Sequence, residues 1–219
     1  DLEKTLDTSH EWIVERSGIH ERHVGGSTAD LSIESGGKAL AMAGVDPSAI
    51  DALVLATTTP DRTVPATSAT VQHGLGLRCG AYDVNAACSG FVYALVQAHG
   101  MIAMGANKVL VIGTDTLSRI TDWTDRNTCV LFGDGAGAVI LQPADEPGIM
   151  ACHLGADGTY KDLLYHPYGA SRRQQPGETE GPYIHMKGNE VFKVAVKTLE
   201  GIVETTLAAS QLEASAIDW

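Results

Sequence analysis

Residues 81–112 constrain the fold more than any other stretch. A β-prone run, Ala81 to Ala86, leads into a segment from about Ser89 to Met104 that is apolar on almost every side. Phe91, Val92, Leu95, Val96, Met101, Ile102 and Met104 lie there, with Gln97 and His99 as rare polar positions. A second β-prone run, Val109 to Ile112, follows. A helix with so little polar face is expected between layers. Strand, helix and strand at this spacing predict a mostly parallel sheet with covering helices. The fold class is α/β.

The alternation extends through the first 140 residues. Thr8 and Glu11 read as a capping box opening a short helix with Trp12, Ile13 and Arg16. A second helix is expected from about Ser32 to Ala43, closed by Gly44, then a strand at 51–57. Pro65 stands near the start of a helix ending at Gly74, and Cys129 to Leu141 reads as a strand with glycines inside. Around 144–188 the pattern breaks into loops with Pro143, Pro147, Pro167, Pro176 and Pro182 and the run Arg172-Arg173-Gln174-Gln175. An amphipathic helix resumes from about Asn189 to Ala209. The expected divisions are therefore 1–143, 144–188 and 189–219.

The chain also repeats itself. Val45-Asp46-Pro47-Ser48-Ala49-Ile50-Asp51 aligns with Leu212-Glu213-Ala214-Ser215-Ala216-Ile217-Asp218, and each copy follows a helix containing Leu-Ala. Two readings stand: a coincidence of loop composition, or a duplicated βα fold whose second half is cut short on entering a strand. On the second reading the 219 residues are a fragment.

Charge and hydropathy exclude some roles. Fifteen basic against 27 acidic residues leave a formal charge of −12, a field that repels a phosphate backbone, so no nucleic-acid partner is expected. Apolar runs are a handful of residues long, too short to span a membrane, and the N-terminal residues lack signal-peptide character. A cytoplasmic location is the expectation.

None of the four cysteines pairs with another at zinc-knuckle or redox-motif spacing, and no metal site is expected. Cys88 differs from the rest by position. In Tyr82-Asp83-Val84-Asn85-Ala86-Ala87-Cys88-Ser89-Gly90-Phe91 it falls between a strand and a helix start, where unpaired N–H groups and the macrodipole favour a thiolate. Ala86, Ala87 and Gly90 leave room for a substrate chain, and the N–H groups could form part of an oxyanion hole. A nucleophilic cysteine is the expected chemistry.

The segment Asn85-Ala86-Ala87-Cys88-Ser89-Gly90-Phe91 resembles the nucleophile segment of the β-ketoacyl-[acyl-carrier-protein] synthase III family, condensing enzymes of the thiolase fold. Four further segments agree in order: Asp7 to Ile13 with Arg16 to Ile19; Thr124-Asp125-Arg126; Phe132 to Ala138; and Gly188 to Lys193. The resemblance implies a duplicated, layered thiolase-like fold with its second half truncated. It implies an acyltransferase of fatty-acid initiation that loads an acyl group from acyl-coenzyme A onto Cys88. Condensation with malonyl-acyl-carrier protein and loss of carbon dioxide would follow. Acetyl-coenzyme A is the default primer, no cofactor is implied, and a homodimer is expected.

Residue by residue, the resemblance gives Trp12 and Arg126 the adenine of coenzyme A, with Arg16 a further contact. Indole and guanidinium planes stack on a purine, and arginine also pairs with phosphate. Phe132, Met186, Gly188 and Phe192 match the pantetheine tunnel, and Val64 stands where many members have a phenylalanine that is donated across the dimer and closes the acyl pocket. The smaller valine implies a roomier primer site. Lys193 matches a carrier-docking position, with Lys197 one turn on. Read without the resemblance, Trp12 is a core or interface residue, Phe132 and Phe192 are core, and the charged positions are solvated. The family's catalytic histidine and asparagine would fall beyond Trp219, so the chain alone is expected not to condense. Alternatives are a priming enzyme of a polyketide or alkylquinolone pathway, a non-catalytic coenzyme A or partner-binding half-domain, and a cysteine hydrolase.

Overall fold

The computed structural model describes residues 2–146 and 148–218. Pro147 of the expected loop excursion, and the terminal Asp1 and Trp219, lie outside the described residues. In chain order the elements are α1 (His10–Ser17), α2 (Thr28–Ala43), β1 (Ala52–Ala56), α3 (Thr67–Gly74), β2 (Gly80–Val84), α4 (Gly90–Ala103), β3 (Val109–Thr116), α5 (Arg126–Cys129), β4 (Asp134–Leu141), β5 (Leu164–Tyr165), β6 (His185–Met186) and α6 (Gly188–Ser210). They fall into two compact units. One holds 10–119 and 132–145, the other 1–9, 120–131 and 146–219.

The first unit is built on a four-stranded sheet of order β2-β1-β3-β4, parallel except for the antiparallel β4. Side chains of β1 and β3 alternate between its faces. Leu53, Leu55, Leu110 and Ile112 meet Leu40 of α2 and Val71 of α3, whereas Val54, Val109 and Val111 meet Ala94 and Ala98 of α4. All the named strand residues are fully buried, each contributing about 1.5–3 kcal/mol. Close approach of α2 requires Gly36, where a Cβ would come within 2.8 Å of Leu75 Cδ1 and 3.0 Å of Ile112 Cδ1.

Four local expectations are corrected. The helix after Cys88 buries one side only: Gly90, Ala94 and Ala98 are buried, while Val92 and Met104 are exposed. Its smallest residues face the sheet, which covers a single side, so apolar content alone overstated its burial. The first helix starts at His10, which moves the cap position from Thr8 to Ser9, and the Thr8 hydroxyl is buried without a hydrogen bond. The second starts a turn earlier than expected, at Thr28, because Ser27 caps it by accepting from Asp30 N at 3.1 Å. Cys129 closes the helical turn α5, where the Asp125 carboxylate caps the Asn127 N–H, and strand pairing begins only at Asp134.

In the second unit β5 and β6 form a two-stranded antiparallel ribbon that leads into the 23-residue α6. The sequence repeat is also a structural one. Gly44 closes α2 at φ 62° and Gln211 closes α6 at φ 57°. Gly44 N and Val45 N donate to Ala41 O and Leu40 O; Gln211 N and Leu212 N donate to Ala208 O and Leu207 O. Both are the same helix-terminating loop. A 3₁₀ turn follows each, Pro47–Ala49 in one and Ala214–Ala216 in the other, and Ile50 and Ile217 leave in the same extended conformation.

Candidate active site

Cys88 lies where β2 gives way to α4, on a short 3₁₀ turn spanning Ala87–Ser89. Ala87 has φ 47°, a conformation uncommon for a residue with a Cβ, and its N–H donates to Asn85 Oδ1 at 3.2 Å. The turn lifts Cys88 away from the sheet and leaves it exposed. Of the other thiols, Cys129 is buried, and burial pushes the half-buried Cys79 thiol up. The exposed Cys152 belongs to the second unit.

The thiol opens into a cavity of about 370 Å³ lined by Ala56, Ala87, Phe91, Gly113, Thr114, Asp115, Gly133, Gly135 and Gly137. Two small residues shape it. A Cβ on Gly113 would stand 2.9 Å from Phe91 Cδ2, and one on Gly90 would meet Ala56 Cβ at 3.3 Å. Glycine at these positions lets α4 dock on β1 and β3 while its N-terminus presents the sulfur. Asp134, in the glycine-rich run, acts as a latch: it accepts from Gly25 N, Ser118 N and Ser118 Oγ at 2.7–2.9 Å.

Trp12 and Arg16 come together on α1. The Arg16 guanidinium lies 4.5 Å from the centroid of the half-buried indole, a cation–π contact, and also stands 3.6 Å from Glu15. Val64 is exposed and does not line the Cys88 cavity; neither does the half-buried Phe132. In the second unit, Arg126 opens α5, half-buried Met186 ends β6, and Gly188 begins α6. Phe192, the fifth residue of α6, is 70% exposed. Lys193 and Lys197 line a groove with His153, Asp157 and Tyr160. Hydrogen bonds from the hydroxyl and then the N–H of Thr159 hold Asp157 below the usual carboxylate range.

Sequence reasoning missed Asp115, Gly113 and the threonines at 57–59. Gly113 had a signal, a glycine ending the run Val109 to Ile112. Asp115 and Thr57 are 58 residues apart and had none. Among the described residues, no group of three or more His, Cys, Asp or Glu side chains could hold a metal ion.

Residues 82–158 match the family model described as 3-oxoacyl-[acyl-carrier-protein (ACP)] synthase III. The β-ketoacyl-[acyl-carrier-protein] synthase III of Xanthomonas oryzae is 52% identical over 224 residues, covering the whole of this chain and 69% of the relative. Among solved structures, the 3-oxoacyl-[acyl-carrier-protein] synthase III of Aquifex aeolicus superposes with a TM-score of 0.88 at 40% identity, over 97% of this chain and 67% of that one. The priming β-ketosynthase of the R1128 polyketide pathway gives 0.90 at 32% identity, over 96% and 65%.

Proposed function

The chain belongs to the β-ketoacyl-[acyl-carrier-protein] synthase III family, and from that premise we propose that Cys88 is the thiol through which it works. The family reaction is the acyl-transferring condensation of fatty acid synthesis, with acyl-coenzyme A and malonyl-acyl-carrier protein as substrates. One observation carries the assignment of Cys88: an exposed thiol on a strained turn at the start of a 14-residue helix, open to a cavity floored by glycines. In acyl transfer the Cys88 thiol gives up its proton and its sulfur attacks the thioester carbonyl, the bond to the coenzyme A sulfur breaks, and coenzyme A leaves as a free thiol carrying that proton. The N-terminal end of α4 favours the negative charge that builds on the attacked carbonyl oxygen. In condensation the malonyl carboxylate leaves as carbon dioxide. Its electron pair passes to the α-carbon, which attacks the acyl-cysteine and returns the thiolate.

We further propose that Trp12, Arg16 and Arg126 hold the coenzyme A nucleotide, Arg16 leaving the Trp12 ring to make room for the purine. Phe132, Met186, Gly188 and Phe192 guide the pantetheine arm. Lys193 and Lys197 give an acidic carrier protein a local cationic stripe on a chain of net charge −12. Action as a homodimer in the cytoplasm belongs to the same reading. The polyketide-priming alternative is disfavoured: the solved example is 32% identical, against 52% for the fatty-acid relative.

The experiment is mass spectrometry of the intact protein after brief incubation with acyl-coenzyme A donors, beside Cys88→Ala. An acyl mass present on the native chain and absent from the variant is expected. Adducts from four-carbon donors should match or exceed acetyl if Val64 widens the pocket. No adduct with any donor would overturn the assignment.

A further inference from the structure

Of the residues lining the Cys88 cavity, Phe91 carries the largest side chain; the rest of the wall is glycine, alanine, Thr114 and Asp115. The space in front of the thiol is therefore set by where one ring stands. Its place follows from the local fold. Cys88 lies on the 3₁₀ turn Ala87–Ser89, which runs straight into α4 at Gly90. Side chains three apart on such a turn share one side, so Phe91 faces the cavity that Cys88 faces. The ring is half-buried and packs against the cluster holding Val54, Ala94, Val109 and Val111. It also rests on Gly113 of β3, where a Cβ would stand 2.9 Å from Phe91 Cδ2 and 3.5 Å from its Cβ and Cγ. Gly113 lets the ring lie back on the strand and, itself a lining residue, leaves open the volume that a methyl would fill.

We propose that Phe91 determines the length of acyl chain that the Cys88 thiol accepts, with Gly113 as the seat that fixes the ring. The substrates it selects are short, unbranched acyl thioesters whose chain ends against that ring. A methylene that fits or fails to fit an apolar pocket changes the rate by about tenfold or more, so a modest loss of ring volume has a readable effect. The inference rests on the reading of Cys88 as the acyl acceptor. Its test adds a chemical probe that works whether or not acyl transfer occurs.

Two readouts are taken on the full chain and on its Phe91→Leu, Phe91→Ala and Gly113→Ala variants. The first is the acyl mass on Cys88 after incubation with coenzyme A thioesters of increasing straight-chain length, acetyl to octanoyl. The second is alkylation of Cys88 by iodoacetamides with N-alkyl tails from methyl to octyl, read peptide by peptide. Cys152, exposed and outside the cavity, serves as the internal reference. At Cys88 the octyl-to-methyl rate ratio should rise about tenfold in Phe91→Leu and further in Phe91→Ala. It should fall in Gly113→Ala, where the added methyl takes cavity space and crowds the ring. The acyl series should shift in the same directions, and the ratio at Cys152 should not move. A merely structural role for Phe91 would lower thermal stability and scale every chain length alike. An unchanged ratio in folded Phe91→Leu overturns the proposal. So does loss of the native far-UV spectrum in both Phe91 variants, since the ring would then be a folding element. Alkylation graded by chain length with no acyl adduct on any variant would strike the acyl-acceptor reading of Cys88 and leave Phe91 as the gate on its cavity.

Discussion

α2 with its following turn, and α6 with its own, are two copies of one local structure in different surroundings. The terminating hydrogen bonds agree to 0.1 Å, 3.2 and 3.0 Å after α2 against 3.2 and 3.1 Å after α6. Burial does not agree. Ala29, Ser32, Gly36 and Leu40 of α2 are buried. The same register in α6 holds Val196, Leu199, Val203 and Leu207, of which the first three are 40%, 62% and 56% exposed. Ile50 is 4% exposed and its counterpart Ile217 is 49%. Helix ends and the 3₁₀ turn are thus encoded within about ten residues. Burial is supplied by the sheet, and the positions against it tell the two apart: α2 has Ala, Ser and Gly where strands press close, and α6 has larger apolar residues.

The most forceful way to break this comparison is to truncate the leucine the copies share. Leu40→Ala, in a closed core, should cost about 3 kcal/mol, and Leu207→Ala, half-buried, about 1 kcal/mol. Denaturant unfolding of both variants measures the gap, and equal losses would mean that α6 is covered as fully as α2. Next come the helix ends, where the two copies should respond with opposite signs. Gly44→Ala forces a Cβ into the left-handed region and should cost about 1 kcal/mol. Gln211→Gly relieves the same strain and should add up to about 1 kcal/mol. A destabilised glycine variant at 211 would sink the equivalence of the two turns.

The smallest effect concerns acid. Asp51, just past the first turn, accepts from Asn107 N at 2.7 Å and Lys108 N at 3.0 Å, and the Lys108 N–H first, then Asn107, hold it below the usual carboxylate range. A folded-state value lower than the unfolded one means the contribution is present above the ordinary carboxylate range near ~4. It is lost as pH falls through the lower, folded value. Asp51→Asn should therefore flatten the stability–pH curve below about pH 4 and leave it unchanged in shape near pH 7. An identical acid limb in the variant would remove Asp51 from the account.

Much of the fold was legible along the chain. The β-prone runs at 51–57, 81–86 and 109–112 fall on the strands Ala52–Ala56, Gly80–Val84 and Val109–Thr116, the repeat is a structural repeat, and the position of Cys88 between a strand and a helix is where the thiol is found. The misreadings share a cause. Local pattern points to a cap at Thr8 where the cap falls to Ser9, and to a strand from Cys129 where pairing begins at Asp134, because it does not show which hydrogen-bond partner arrives from elsewhere in the chain. Composition points the outer side of α4 to the interior, where Val92 and Met104 are exposed, because composition does not say how many sides a sheet will cover.

The sequence by itself determined what neighbours in the chain can settle: the α/β alternation, the two helix-ending turns and the cysteine at a helix start. Each depends on groups within a turn or two, where backbone geometry leaves few choices. Only tertiary structure decided which apolar faces are closed, why Gly36 and Gly113 must be glycine, and that Asp115 would meet Thr57, Thr58 and Thr59 beside Cys88. Those contacts join residues tens of positions apart. They exist because parallel strands bring their ends to one edge of the sheet, a proximity that periodicity along the chain does not carry.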